Sequence, residues 1–183
     1  SYYLDMNPFG KVPTYVGSDG FALGESGAIL RYIACAYAPG LYPQDVKLRA
    51  RVDWALDVIG ASIYRKLGRE VLYPAMNLAG PVADQQKASE EAMHLVGCYE
   101  TAFLGLGNFV CGETLTIAEY RILPFLFASS QPIVLRKTGF QLPARSLKYV
   151  EDMMGAIGSS SMLVAYGGNS VGECMAKALV EFG

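Results

Sequence analysis

A proline at the mouth of a short β run, followed by a hairpin and a helix start, constrains this chain more than any other feature. The run Asn7-Pro8-Phe9-Gly10-Lys11-Val12-Pro13 leads into Thr14-Tyr15-Val16, residue types that favour a strand. X-Pro bonds are the ones that adopt cis at small cost, and a cis bond in a tight turn usually has a purpose. In the cis form, Val12-Pro13 would turn the Val12 N–H and C=O outward, where an extended ligand can pair with them as one more strand. Ser18-Asp19-Gly20 is turn chemistry. Phe21-Ala22-Leu23 reads as a second strand, and Gly24 as a breaker before a helix beginning near Ser26. Ser26 then offers a hydroxyl and an amide at a helix N-terminus, which suits a carboxylate. Glu25 beside it suits an ammonium group, so the pair predicts a site for an α-amino acid end. A sheet of two short strands is marginal alone and leaves an unpaired edge, which predicts that further residues or a partner chain cover it.

The chain has 183 residues with 15 basic and 17 acidic side chains, a net charge of −2. That balance gives no electrostatic case for nucleic acid or for a polybasic membrane patch. Charged residues make up 17%, against about 25% in ordinary domains, and the apolar share is 52%. More of the surface is therefore expected to be covered, by a homodimer or by a larger protein assembly. The most apolar stretch, Ile122 to Ala128, contains Pro124 and falls far short of the roughly 20 residues that span a bilayer. Cys35, Cys98, Cys111 and Cys174 form no Cys-x-x-Cys pair and read as small buried hydrophobes in a reducing compartment. With a single histidine, His94, no metal site is expected, and His94 reads as a helix-surface residue.

From Asp45 onward the pattern is helical. Val52, Leu56, Ile59, Ile63 and Leu67 make one face of an amphipathic helix, with Trp54 and Asp57 on other faces. A second stripe runs through Ala92, Leu95, Val96, Tyr99, Ala102, Phe103 and Leu106 and stops at Gly107-Asn108. These two helices are expected to pack as an antiparallel pair. In Thr114-Leu115-Thr116-Ile117-Ala118-Glu119, Thr116 is an N-cap and Glu119 its N3 residue, a capping box in which each satisfies an orphan N–H of the other. Pro124 should bend the helix that follows. Beyond Pro132 the pattern predicts a loop around Lys137 to Phe140, then helices near Ala144–Ile157 and Val171–Phe182. Gly158 to Ser161 and Gly167 to Asn169 read as turns, since neither has the spacing of a phosphate loop.

The Asn-Pro-x-Gly-x-Val-Pro stretch of residues 7–13, the Glu25-Ser26-Gly27-Ala28-Ile29 sequence and Phe109-Val110-Cys111-Gly112 before the capping box resemble the glutathione transferase family, closest to its theta-like branch. The resemblance implies an α+β, mostly helical fold. Residues 1–39 would be the C-terminal part of a thioredoxin-like domain, and residues 40–183 an all-helical domain. It implies glutathione as substrate and no metal. Val12 and Pro13 would bind the cysteinyl backbone of glutathione, Glu25 and Ser26 its γ-glutamyl end, and Lys11 would lie near its glycyl carboxylate. The family normally carries Asp where this chain has Glu119. The family's activating Ser, Tyr or Cys follows a first β-strand that would precede Ser1, so no catalytic residue is expected within this sequence. The resemblance thus implies conjugation of glutathione to an electrophile, with a non-catalytic scaffold subunit of a larger complex as the alternative. The two long helices would form a dimer interface and one wall of the substrate cleft, where Trp54 and Tyr64 are conceivable lining residues.

Overall fold

The computed structural model describes residues 2–157. Helix α1 (Tyr2–Met6) is a single short turn that hands the chain to Asn7. Strands β1 (Thr14–Val16) and β2 (Ala22–Gly24) pair antiparallel, with Thr14 opposite Gly24, Tyr15 opposite Leu23 and Val16 opposite Ala22. The hairpin turns where Asp19 Oδ1 accepts the Phe21 N–H at 3.0 Å. Gly20 sits there at φ +85°, a conformation in which only glycine is comfortable. Helix α2 (Ser26–Tyr37) packs on the hairpin through Tyr32, whose ring lies 5.3 Å from that of Tyr15 and 5.2 Å from that of Phe21.

A 3-10 turn over Pro39–Leu41 leads to the helical body. Helix α3 (Val46–Val58) is capped by Asp45, whose carboxylate accepts the Leu48 N–H at 2.8 Å. It runs without a break into a π-helical stretch (Ile59–Leu72) and ends in α4 (Tyr73–Ala75). Val52, Leu56, Ile59, Ile63 and Leu67 are all buried, so the periodic stripe is the core face. Helix α5 (Gln85–Tyr99) starts on the Asp84 cap, at 2.9 Å to the Lys87 N–H, and ends in a π turn over Glu100–Leu104. That π turn corrects the end of the second stripe. A π turn takes in an extra residue and rotates the face that follows; Leu104 is buried, while Leu106, expected on the stripe, is 44% exposed.

Helix α6 (Ile117–Ser129) is the centre of the fold and packs against α2, α3, α7 and α8. Pro124 stands inside it. The loop expected around Lys137 to Phe140 starts later than expected: Pro132–Thr138 is helix α7, which takes in Lys137 and Thr138, and the chain leaves helix only at Gly139. Proline at the first helical position presets φ and lacks only an N–H that would be unpaired anyway, and Gly139 closes the helix at φ +70°. Helix α8 (Ala144–Ile157) completes the described fold. The expected helix near Val171–Phe182, the two glycine-rich turns and Cys174 lie outside the described residues. The architecture is a small two-stranded sheet with α2 on it, followed by a helical body, the α+β, mostly helical class. No helix among the described residues is long and apolar enough to cross a membrane.

The cysteine expectation fails in part. Of the three cysteines among the described residues, Cys35 and Cys98 are exposed and Cys111 is buried, because the first two fall on the outward faces of α2 and α5. Burial pushes the Cys111 thiol up to about 12, so it stays protonated and unreactive near neutrality. Thiol labelling of the folded protein at neutral pH should therefore modify Cys35 and Cys98 and spare Cys111. Peptide mapping reads this directly; labelling of Cys111 at the rate of the other two would contradict its packing.

Candidate functional site

The loop before β1 is organised by one buried amide. Asn7 is 5% exposed; its Nδ2 donates to Lys11 O at 2.8 Å and to Thr14 Oγ1 at 2.9 Å, and its Oδ1 accepts the Phe9 N–H at 3.2 Å. Tyr3 Oη donates to Lys11 O at 2.5 Å, and Thr14 Oγ1 reaches the same carbonyl at 3.2 Å. The Lys11 carbonyl is thus held from within the fold, and the Lys11 side chain, Val12 and Pro13 stand outward. Val12 is 86% exposed and the Val12-Pro13 bond is cis. Asn7 also fixes the other strand of the hairpin. A Cβ on Gly24 would stand 3.2 Å from Asn7 Nδ2, so the amide packs where only glycine leaves full room.

Asn7→Ala should remove three hydrogen bonds at once and strip a donor from two oxygens. We expect a loss of about 1–3 kcal/mol, read by denaturant unfolding, together with faster amide exchange over residues 8–16. An unchanged exchange rate there would show that the loop does not depend on this side chain.

The β1–β2 register brings the two motifs together. Thr14 faces Gly24, so Pro13 and Glu25, the next residues outward on each strand, lie at the same end of the hairpin. Glu25 is exposed and holds φ +66° as the residue before α2. A left-handed backbone is uncommon for glutamate and marks a position worth attention. Ser26 opens α2 with a half-buried side chain. No described residue forms an ion pair or side-chain hydrogen bond with Glu25 or Ser26.

Beside Glu25 lies an open cleft of about 350 Å³, bounded by the first turn of α2, the α3 axis around Asp57 to Ala61, and Arg121 from α6. Lys11, Val12 and Pro13 are not part of its lining; Pro13 lies at the hairpin end that also carries Glu25. Arg31 is neutralised within the cleft wall: its Nε donates to Asp53 at 2.6 Å and its Nη2 to Asp57 at 3.1 Å. Tyr42 Oη shares the Asp53 carboxylate at 2.9 and 3.0 Å. Burial alone would lower the Arg31 pKa, but the bonds to Asp53 and Asp57 outweigh it and raise it.

Arg121 is different. It forms no hydrogen bond or ion pair with any described residue, although Asp57 and Glu25 attract it from a distance. Burial, and then the neighbouring Arg31 guanidinium, lower its pKa. Its guanidinium is wedged between two glycines. A Cβ on Gly60 would stand 2.5 Å from its Nη2, and a Cβ on Gly27 would collide with its Nη1.

The capping box sits one turn away. Glu119 is fully buried. Its Oε2 accepts the Thr116 N–H at 2.8 Å and the Thr116 hydroxyl at 2.9 Å, and its Oε1 accepts the Val110 N–H at 2.5 Å. Thr116 Oγ1 accepts the Ala118 N–H at 3.2 Å, and Tyr149 Oη reaches Glu119 Oε1 at 3.4 Å. Glu119 therefore does more than close a cap. It ties the Phe109–Gly112 turn and α8 to the start of α6, the helix that carries Arg121.

Reasoning from the sequence named Glu25 and Ser26 but missed Arg121, Arg31 and Asn7. Arg121 follows the capping box at a position that helical phase alone leaves on either face. Asn7 was visible only as part of a motif. Trp54 is half-exposed and stacks edge-on over Phe103 at 4.7 Å, and Tyr64 packs on Phe125 and Tyr73. Neither lines the cleft. No group of three or more His, Cys, Asp and Glu among the described residues is arranged to hold a metal ion.

Residues 1–35 match the family model described as glutathione S-transferase, N-terminal domain. The chain is 34% identical over 149 residues to human glutathione S-transferase theta-2, covering 76% of this chain and 57% of that protein. To rat glutathione S-transferase theta-1 it is 40% identical over 125 residues, 64% of this chain and 51% of the relative. The chain thus spans little more than half the length of the curated relatives it matches. Among solved structures, a delta-class glutathione transferase of Nilaparvata lugens superposes with a TM-score of 0.68 at 28% identity, over 85% of this chain and 70% of that one.

Proposed function

The chain belongs to the glutathione S-transferase family, and on that premise we propose that it binds glutathione at the hairpin end and the adjoining cleft, as part of a protein that conjugates it to an electrophile. The observation that carries this reading is the pairing of Glu25 with Ser26 at the head of α2, beside Val12-Pro13 and at the same end of a two-stranded hairpin. Glu25 offers a carboxylate with no partner among the described residues, suited to the ligand's ammonium group. Ser26 offers its hydroxyl and the amides of the first turn of α2, suited to the α-carboxylate. The exposed Val12 backbone is available to pair with the cysteinyl unit, and Lys11 is close enough in sequence to approach the glycyl carboxylate. In this proposal residues 1–39 end the thioredoxin-like part and residues 40–183 form the helical domain, and the functional unit is a dimer.

The ligand's thiol becomes a competent nucleophile only as the thiolate, and none of the residues proposed here activates it. Among the described cysteines, Cys111 is buried and serves packing. Retention of the protein on immobilised glutathione, with elution by free glutathione, tests the binding half of the proposal. Passage through the resin unretained would count against it. Conjugation to a chromogenic electrophile, measured on the same preparation, tests the catalytic half.

A further inference from the structure

We propose that Arg121, on helix α6, joins Ser26 in recognising the free α-carboxylate of the ligand's γ-glutamyl end, making this cleft selective for a zwitterionic terminus. The inference rests on the glutathione reading above and adds to it a residue from the helical domain.

Three observations converge on Arg121. Its guanidinium lies in the cleft wall without a hydrogen bond or ion pair to any described residue, while Arg31 beside it is matched by Asp53 and Asp57. A guanidinium with five donors, partly removed from water and left without an acceptor, is a site awaiting a carboxylate. Second, the group is clamped. Gly27 and Gly60 each stand where a Cβ would strike its terminal nitrogens, so the planar fork is held in place before any ligand arrives, which lowers the cost of binding. Third, Glu25 lines the same cleft, carries the opposite charge, and is also unpaired among the described residues. Two opposite charges meant for each other would close into an ion pair. Here Glu25 and Arg121 line one cleft without an ion pair between them. A carboxylate and a closely packed guanidinium on one opening match an ammonium and a carboxylate on a single carbon. Burial and Arg31 lower the Arg121 pKa, and a bound carboxylate would offset both.

The test compares glutathione with an analogue whose γ-glutamyl unit is replaced by 4-aminobutanoyl, which keeps the amine and lacks only the α-carboxylate. Calorimetric titrations would use the wild type, Arg121→Met and Arg121→Lys. The wild type should bind glutathione more tightly than the analogue. Arg121→Met should weaken glutathione binding on the order of 10–100-fold and leave the analogue's affinity unchanged, so that most of the discrimination is lost. Arg121→Lys should keep part of it, since it retains charge without the fork. Should Arg121→Met fail to fold, Gly60→Ala carries the same test: alanine favours a helix, yet its Cβ displaces the guanidinium, and discrimination should fall likewise. Equal weakening of both ligands, or wild-type discrimination in these variants, would overturn the assignment and make Arg121 structural. A wild type that binds neither ligand would instead overturn the glutathione reading, and this inference with it.

Discussion

Glu119→Ala should lower the stability of the protein by on the order of 4 kcal/mol. The carboxylate is fully buried and accepts the Val110 N–H, the Thr116 N–H and the Thr116 hydroxyl. Truncation leaves those donors buried without acceptors, at about 1–3 kcal/mol each, and opens a cavity between the Phe109–Gly112 turn and α6. In a chain of this length that corresponds to a melting temperature lower by roughly 8–16 °C. Thr116→Ala removes the acceptor of the Ala118 N–H and one of the donors to Glu119, and should cost about 1 kcal/mol. The ratio of the two is the informative part. If Glu119→Ala costs no more than Thr116→Ala, the carboxylate is only a cap and does not join the turn and α8 to the helix.

The second large effect lies at the ligand end. Glu25→Gln keeps the size and the hydrogen-bonding capacity of the side chain and removes its charge. Losing a charge-assisted contact to the ligand's ammonium group costs about 1.5–3 kcal/mol, or roughly 10–100-fold in affinity. Stability should stay within about 0.5 kcal/mol of the wild type, because Glu25 is exposed and has no partner among the described residues. Affinity and melting temperature measured on one preparation separate the two. A variant that unfolds more easily but binds as before would assign Glu25 to the fold.

Each signal in the sequence is as legible as the physics behind it is local. Local chemistry was readable: Gly24-Glu25-Ser26 marked a helix start, Thr116 with Glu119 marked a cap, and the stripe through Val52, Leu56, Ile59, Ile63 and Leu67 marked the core face. Each depends on spacing along one segment, which a sequence displays directly. The second stripe drifted at its end because a change of winding over Glu100–Leu104 leaves no compositional mark. The loop around Lys137 to Phe140 begins two residues later than its composition suggests, because helix α7, started by Pro132, runs on through Thr138 to its glycine stop at Gly139. The cysteines were misplaced because their residue type favours burial while their helical phase decides it. The cleft was the least legible part. Gly27, Gly60 and Arg121 belong to three separate helical segments, and each glycine alone is an ordinary helix residue. Only the packing of α6 against α2 and α3 gives them a common meaning.

The most direct test of the central claim is a calorimetric titration of glutathione into the protein at neutral pH, run in parallel with Glu25→Gln. The account predicts saturable binding to the wild type with one ligand per chain, and binding on the order of 10–100-fold weaker to the variant. Saturable binding of equal strength to both would place the ligand away from Glu25, and no saturable binding to the wild type would contradict the glutathione reading itself.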